Sequence, residues 1–248
     1  MRLTCAHAGL LFSAATLGAC GDATETGNAQ SGPVVSLRMT LQAAQDPTAS
    51  TTVLDGDGAA IRVRSATARL RRIDLALPDG VRCEDWPGAT AERCPPGEDR
   101  VRFEGPWQVD LLTGAFSPPL GDAAVPAGTY RRVEVRFDDD AGPALAIEAE
   151  TAAGNGLAFT LSADPEYRFV GAAVVPGQGV ASLLMALPVD AWFAGPVARC
   201  VDDGAYPSQQ GVAQVGQAAG GCPGVAEAAE AALEGEGELR ALEGDDAR

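Results

Sequence analysis

The chain has 248 residues, 46% of them hydrophobic and 21% charged, enough apolar material for one large or two small domains with a real core. Eighteen basic residues, all arginine, stand against 34 acids, and the net charge of −16 argues against nucleic acid or an anionic membrane surface as a partner. The single histidine, His7, lies in a leader-like segment, so the processed protein would carry no imidazole, which excludes Ser-His-Asp triads, Cys-His pairs and histidine metal sites.

Met1 and Arg2 precede an apolar run from Ala8 to Ala19 that is too short to span a bilayer, and residues 1–19 read as a signal peptide. The run ends Leu17-Gly18-Ala19-Cys20. An aliphatic residue three places before a cysteine, with small residues between, resembles the lipobox of bacterial lipoproteins, where the thiol is joined to diacylglycerol, the leader is cut and the new amine is acylated. An ordinary cleavage site with a chance cysteine is the alternative reading. The resemblance implies that Cys20 becomes a lipidated first residue and that the protein meets a membrane through palmitate-like chains. Three such chains, at ~0.8 kcal/mol per buried methylene, make an effectively permanent anchor. Gly21 rather than aspartate follows Cys20, as in enteric lipoproteins of the outer membrane, so the expected location is the cell envelope, outer-membrane anchored and facing the periplasm or the outside. Residues 20–33 (CGDATETGNAQSGP) are small and polar without periodicity, as a flexible tether would be.

From Val34 to Phe193 the dominant signal is period-two alternation, broken by Gly, Pro and Asp clusters about every dozen residues, the pattern of an antiparallel sandwich or barrel. Val35, Leu37, Met39 and Leu41 alternate with polar residues in a first strand with one buried face. Ile61, Val63, Ala68 and Leu70 alternate with arginines, and after Arg72 the phase slips to Ile73, Leu75 and Leu77, which predicts a bulge or a crossing between sheets. Further strands are expected at Val101–Leu112, Thr129–Phe137, Ala144–Thr151, Leu157–Ala163, Tyr167–Val175 and Val180–Val189, the last central because it is apolar on both faces. Gly154-Asn155-Gly156 is read as a hairpin turn that sets Ile147 opposite Phe159. In Pro126-Ala127-Gly128-Thr129-Tyr130 the proline fixes φ and the glycine reverses the chain into a strand whose core face is Val133, Val135 and Phe137, and Tyr130 is expected to bond its hydroxyl to nearby backbone.

Four cysteines follow Cys20, namely Cys83, Cys94, Cys200 and Cys222, and an even number in an exported chain favours disulfides, here the local pairs Cys83–Cys94 and Cys200–Cys222. A four-cysteine zinc site is disfavoured because no C-x-x-C pair exists, and a catalytic thiol because the processed chain would hold neither His nor Lys to activate it. Residues 194–248 differ in kind, as an irregular disulfide-tied extension with helix-forming Val225–Leu233. Eight acids and two arginines lie between Glu227 and Arg248, and the end is expected to be a frayed, solvated tail.

The runs Ala66–Leu77, Trp107–Leu112 and Gly121–Phe137, with the apolar strand leading to Asp190, resemble bacterial lipoprotein domains of the "domain of unknown function 4382" type, most specifically at Pro126–Tyr130. The resemblance covers residues 35–193 and implies a β-sandwich on a lipid anchor, with no activity attached. The cysteine-bearing insert at 83–94 and the chain after 193 depart from that pattern. The expected fold is all-β, an antiparallel sandwich of immunoglobulin or transthyretin-like kind over 34–193 with a short C-terminal helical acidic tail.

Two carboxylate clusters, Asp55 with Asp57 and Asp138-Asp139-Asp140, offer the hard oxygens that calcium prefers, although neither completes a recognised loop and both also read as solvated turn tips. Arg62, Arg64, Arg69, Arg71, Arg132 and Arg136 share the polar parity of neighbouring strands, either as a stripe for an anionic ligand or as partners of Glu134 and other acids, the second reading being preferred. Trp107 and Trp192 read as core, while Trp86 in the Cys83–Cys94 loop is the one aromatic placed as a ligand contact. The function expected is a non-catalytic binding or structural module for an envelope protein or glycan. The alternatives are calcium-assisted carbohydrate binding and, least favoured, a two-carboxylate hydrolase.

Overall fold

The computed structural model describes residues 33–42 and 52–242. The expectations for the signal peptide, Cys20 and the tether before Pro33 lie outside the described residues. Fourteen strands run in chain order: β1 (Val34–Gln42), β2 (Thr52–Leu54), β3 (Ala60–Ala76), β4 (Arg100–Asp110), β5 (Ala115–Ser117), β6 (Ala123–Ala124), β7 (Gly128–Phe137), β8 (Leu145–Thr151), β9 (Gly156–Leu161), β10 (Glu166–Val175), β11 (Val180–Pro188), β12 (Ser208–Gln209), β13 (Val212–Gln214) and β14 (Glu236–Leu242). Two helices, α1 (Val197–Asp202) and α2 (Val225–Leu233), and 3-10 turns at Cys83–Asp85 and Val189–Phe193 complete the described chain.

All strands join one sheet, in the order β12-β13-β9-β8-β3-β7-β10-β14-β11-β1-β6, with β2 and β4 on the other edge of β3 and β5 on β4. The fold is all-β as expected, but the sheet is mixed rather than purely antiparallel: β1 lies parallel to β11, β10 to β14, and β13 to β9. The long strand β3 makes the architecture. Its first half pairs with β2 and β8, its second half with β4 and β7. The phase slip after Arg72 is real, since the register shifts between Leu70 and Arg72 toward both β4 and β7, and a second shift between Val63 and Ser65 faces β8. Bulges of this kind bend a strand and raise its twist. β1 also approaches the β4 side of the sheet, with the Leu41 N–H donating to Leu111 O at 2.9 Å just beyond β4.

On the inward parity the alternating positions meet as the pattern demands. Val35, Leu37 and Met39 of β1, Ile73 and Leu75 of β3, Val133, Val135 and Phe137 of β7, Phe169 of β10 and Leu183, Met185 and Leu187 of β11 are all buried. β11 is buried on both faces from Ala181 to Leu187 and central as expected, between β1 and β14. Ile147 does face Phe159 across β8 and β9, although the reversal is made by residues 152–155 and Gly156 already belongs to β9. Trp107 and Trp192 are core, the latter meeting Phe159 edge-on at 6.2 Å.

The largest departure from expectation is the C-terminal segment. Val225–Leu233 is helical as its composition predicts, and α2 packs on the 3-10 turn Val189–Phe193. Of the acidic stretch after it, Glu236–Leu242 does not fray but forms β14, paired along five positions with β10 and along five with β11, and residues 243–248 lie outside the described residues. Two glycines make room. A Cβ on Gly171 of β10 would fall onto the carbonyl oxygen of Leu239, and one on Gly237 would meet the Phe169 ring at 2.5 Å. Local composition misleads here because two strands already in place offer a ladder on both sides, which outweighs the solvation of Glu236 and Glu238. Gly171→Ala should therefore cost about 3 kcal/mol, read as a lower urea midpoint, with hydrogen-exchange protection lost first at 236–242.

Candidate functional site

The outward parity of β4, β3, β7, β10 and β14 carries a lattice of opposite charges. One row runs across five strands in register, Arg102, Asp74, Glu134, Arg168 and Glu236. The next row is Glu104, Arg72, Arg136 and Glu166, and Arg100, Arg132 and Glu238 extend the face on its other side. Six arginines and six acids make these twelve residues neutral in a chain of −16.

Asp74 and Glu134 sit at the centre, 4% and 9% exposed, directly opposite each other. Like charges in that position repel. Arginines on both flanks offset the repulsion: Asp74 meets Arg72 at 2.8 Å and Arg102 at 3.1 Å, and Glu134 meets Arg100 at 3.2 Å and Arg132 and Arg168 at 3.4 Å. The hydrogen bond to Asp74 is the main cause that raises the Arg102 pKa further above its ordinary value. Glu134 was expected from the sequence as a partner of the arginines and Asp74 was not, yet each carries the same signal, a lone acid between core residues in Ile73-Asp74-Leu75 and Val133-Glu134-Val135.

The six arginines read from the sequence are all paired, as the preferred reading held. Arg62 and Arg64 share Glu150, Arg69 meets Asp138 at 3.6 Å and Arg71 meets Asp164 at 2.8 Å. Arg132 meets Glu134, and Arg136 meets Glu166 at 3.0 Å. The hydrogen bond from Arg64 holds the Glu150 carboxyl below the usual range.

The two carboxylate clusters do not converge. Asp55 precedes β3, while Asp138 meets Arg69 nine residues along that strand, about 30 Å away at ~3.3 Å per residue. Asp55 is buried, and both its oxygens accept backbone N–H groups: Oδ1 from Asp57 at 3.1 Å and Ala59 at 2.8 Å, Oδ2 from Ala198 in the first turn of α1 at 2.9 Å. It therefore clasps a helix 143 residues away. The adjacent Gly56 donates to Phe193 O and Gly195 O, and a Cβ there would meet Gly195 N at 2.6 Å, so the approach requires glycine. Asp57 pairs with Arg199 at 3.5 Å. Asp138 is buried against Arg69 and accepts the Asp140 N–H at 3.3 Å, while Asp139 and Asp140 are exposed. Among the described residues no three or more His, Cys, Asp or Glu side chains are grouped to hold a metal ion.

The cysteines pair as expected, Cys83 with Cys94 and Cys200 with Cys222. Closing loops of 11 and 22 residues limits the unfolded chain by about 3 kcal/mol each on the loop-entropy model. Trp86 is half-buried over Gly88, where a Cβ would lie 2.8 Å from its ring, so much of its surface is covered by its own loop. The Tyr130 hydroxyl donates to Pro126 O at 2.7 Å in full burial, the structural role assigned to it, and burial pushes its pKa up. No helix among the described residues is long and apolar enough to cross a membrane.

No family model, curated protein or solved structure matches the chain. Two outcomes follow from the geometry. Asp55→Ala should lose about 3 kcal/mol, because α1 loses its cap and three backbone donors lose an acceptor, and circular dichroism in urea will register the lower midpoint. Glu134→Gln should cost roughly 2 kcal/mol, less than a fully buried ion pair because its arginines are 31–49% exposed, with a lower thermal midpoint that high salt narrows.

Proposed function

We propose that this chain is a lipid-anchored lipoprotein of the bacterial cell envelope, fixed to the outer membrane through Cys20, whose sheet domain serves as a non-catalytic binding or structural module. The observation that carries the reading is the cysteine bookkeeping of the folded part. Its four cysteines are spent on two mutual disulfides, a state suited to an oxidising compartment outside the cytoplasm. Cys20 has no partner among them and stands at the end of the Leu17-Gly18-Ala19 run, where the lipobox resemblance gives its thiol a different use.

Thirteen residues separate Cys20 from Val34, where β1 begins. The neutral charge lattice supports the binding half of the reading, since an acidic envelope partner meets no net repulsion on it. The likeness to domains of unknown function 4382 belongs to the same proposal.

In a bacterial host given a palmitate label, the unaltered protein should incorporate the label and fractionate with membranes. Cys20→Ala should lose both, and label or membrane partition retained in that variant would overturn the anchor.

A further inference from the structure

Eight charged residues stand in two rows across four strands of the outward face. Taken in the order β4, β3, β7, β10, the first row reads Arg102, Asp74, Glu134, Arg168 and the second Glu104, Arg72, Arg136, Glu166, with every neighbour fixed by strand register. Each strand thus carries one arginine and one acid two residues apart. The first row runs positive, negative, negative, positive, and the second is its inverse. Glu236, at the end of the first row, falls outside this block and keeps Arg168 as its partner at 3.6 Å.

The internal ion pairs make the face neutral but leave its outer members in solvent. The Glu104 side chain is 65% exposed, that of Arg168 49% and that of Glu166 43%. Arg102 donates to Asp74 through Nε, and Arg136 donates to Glu166 through Nη2. A guanidinium has five N–H donors, so each keeps capacity for a further acceptor.

The order of signs has a consequence for symmetry. A two-fold axis lying in the face, between the rows and parallel to them, turns a second copy over so that every residue meets the other row at the same strand. Arg102 then faces Glu104, Asp74 faces Arg72, Glu134 faces Arg136 and Arg168 faces Glu166, opposite charges at every position. The other in-plane axis, parallel to the strands, sets Arg102 on Arg168, Asp74 on Glu134, Glu104 on Glu166 and Arg72 on Arg136, like charges throughout. A closed two-fold contact uses the same patch on both copies, and this patch accepts itself in one orientation while rejecting the other. Two chains of −16 repel one another in general, and a neutral face removes that obstacle where they touch.

We propose that the outward face of β4, β3, β7 and β10 is the interface of a homodimer whose two-fold axis runs across the strands between the two rows. The proposal rests on the binding half of the function given above, for which it names a second copy as the partner, and it needs no lipid anchor.

Sedimentation equilibrium of the full chain in density-matched detergent tests it. The unaltered chain should dimerise. Arg102→Glu alone sets acid against acid twice per dimer, Glu104→Arg alone sets cation against cation, and each should weaken the dimer roughly tenfold or more. An equimolar mixture of the two variants should dimerise again, because one then offers acids at both positions and the other offers arginines. Arg168→Glu and Glu166→Arg repeat the experiment at the other end of the rows, in case Arg102→Glu unfolds for want of its bond to Asp74. Monomer alone at concentrations up to about 1 mM overturns the proposal. Dimers that the single variants leave intact overturn it as well, since another face then holds them, and so does a mixture that stays monomeric while both variants keep the circular dichroism spectrum of the unaltered chain. Palmitate labelling reads the anchor separately, so loss of either result leaves the other standing.

Discussion

The sheet depends on the ladder that β14 completes between β10 and β11. Without that strand two consecutive strands face each other across an open gap, and β11 and β1 lose their connection to β7 and β3. Backbone N–H and C=O groups along such a gap must find partners, so the gap is either filled or closed. Filling it from the C-terminus makes the fold a product of the whole described chain, with contacts between residues as distant as Val34 and Val180, and Arg168 and Glu236. High sequence separation of this kind slows folding, since the loops close before their contacts contribute.

Charge is organised with the same economy. An acidic chain with no lysine places some of its arginines where one touches two carboxylates: Arg168 lies between Glu134 and Glu236, and Arg102 between Asp74 and Glu104. A planar guanidinium with five donors serves two acids at once, which a compact ammonium does less well. The result is a neutral face on a strongly anionic protein, with two acids at its centre shielded by cations. Where regular structure is sparse, other devices take over. A disulfide closes the insert after β3, a second ties α1 to the segment before α2, and Asp55 reaches from the start of β3 to the backbone of α1.

Much of this was legible in one dimension. The strand series, the slip after Arg72, the facing of Ile147 and Phe159, the buried Tyr130 hydroxyl, the disulfide pairs and the paired arginines all follow from short-range patterns: alternation, turn chemistry and cysteine spacing. Three features were not legible. Asp55-Gly56-Asp57-Gly58 has the acids and glycines that ligand loops and turn tips share, while the backbone N–H of Ala198 that Asp55 accepts lies 143 residues on. Trp86 rests on Gly88 of its own loop, a neighbour with no side chain to announce it. Glu236–Leu242 looked like a tail because its composition favours solvent.

The sequence by itself determined which residues face inward, where the chain turns and which cysteines meet, since these rest on periods and spacings of a few residues to a few tens. Only the tertiary structure decided which strands are neighbours, that the sheet is mixed, and that an acidic terminal segment belongs at its centre. Pairing is settled by backbone groups that every residue carries alike, so the order of strands leaves little trace in the side chains.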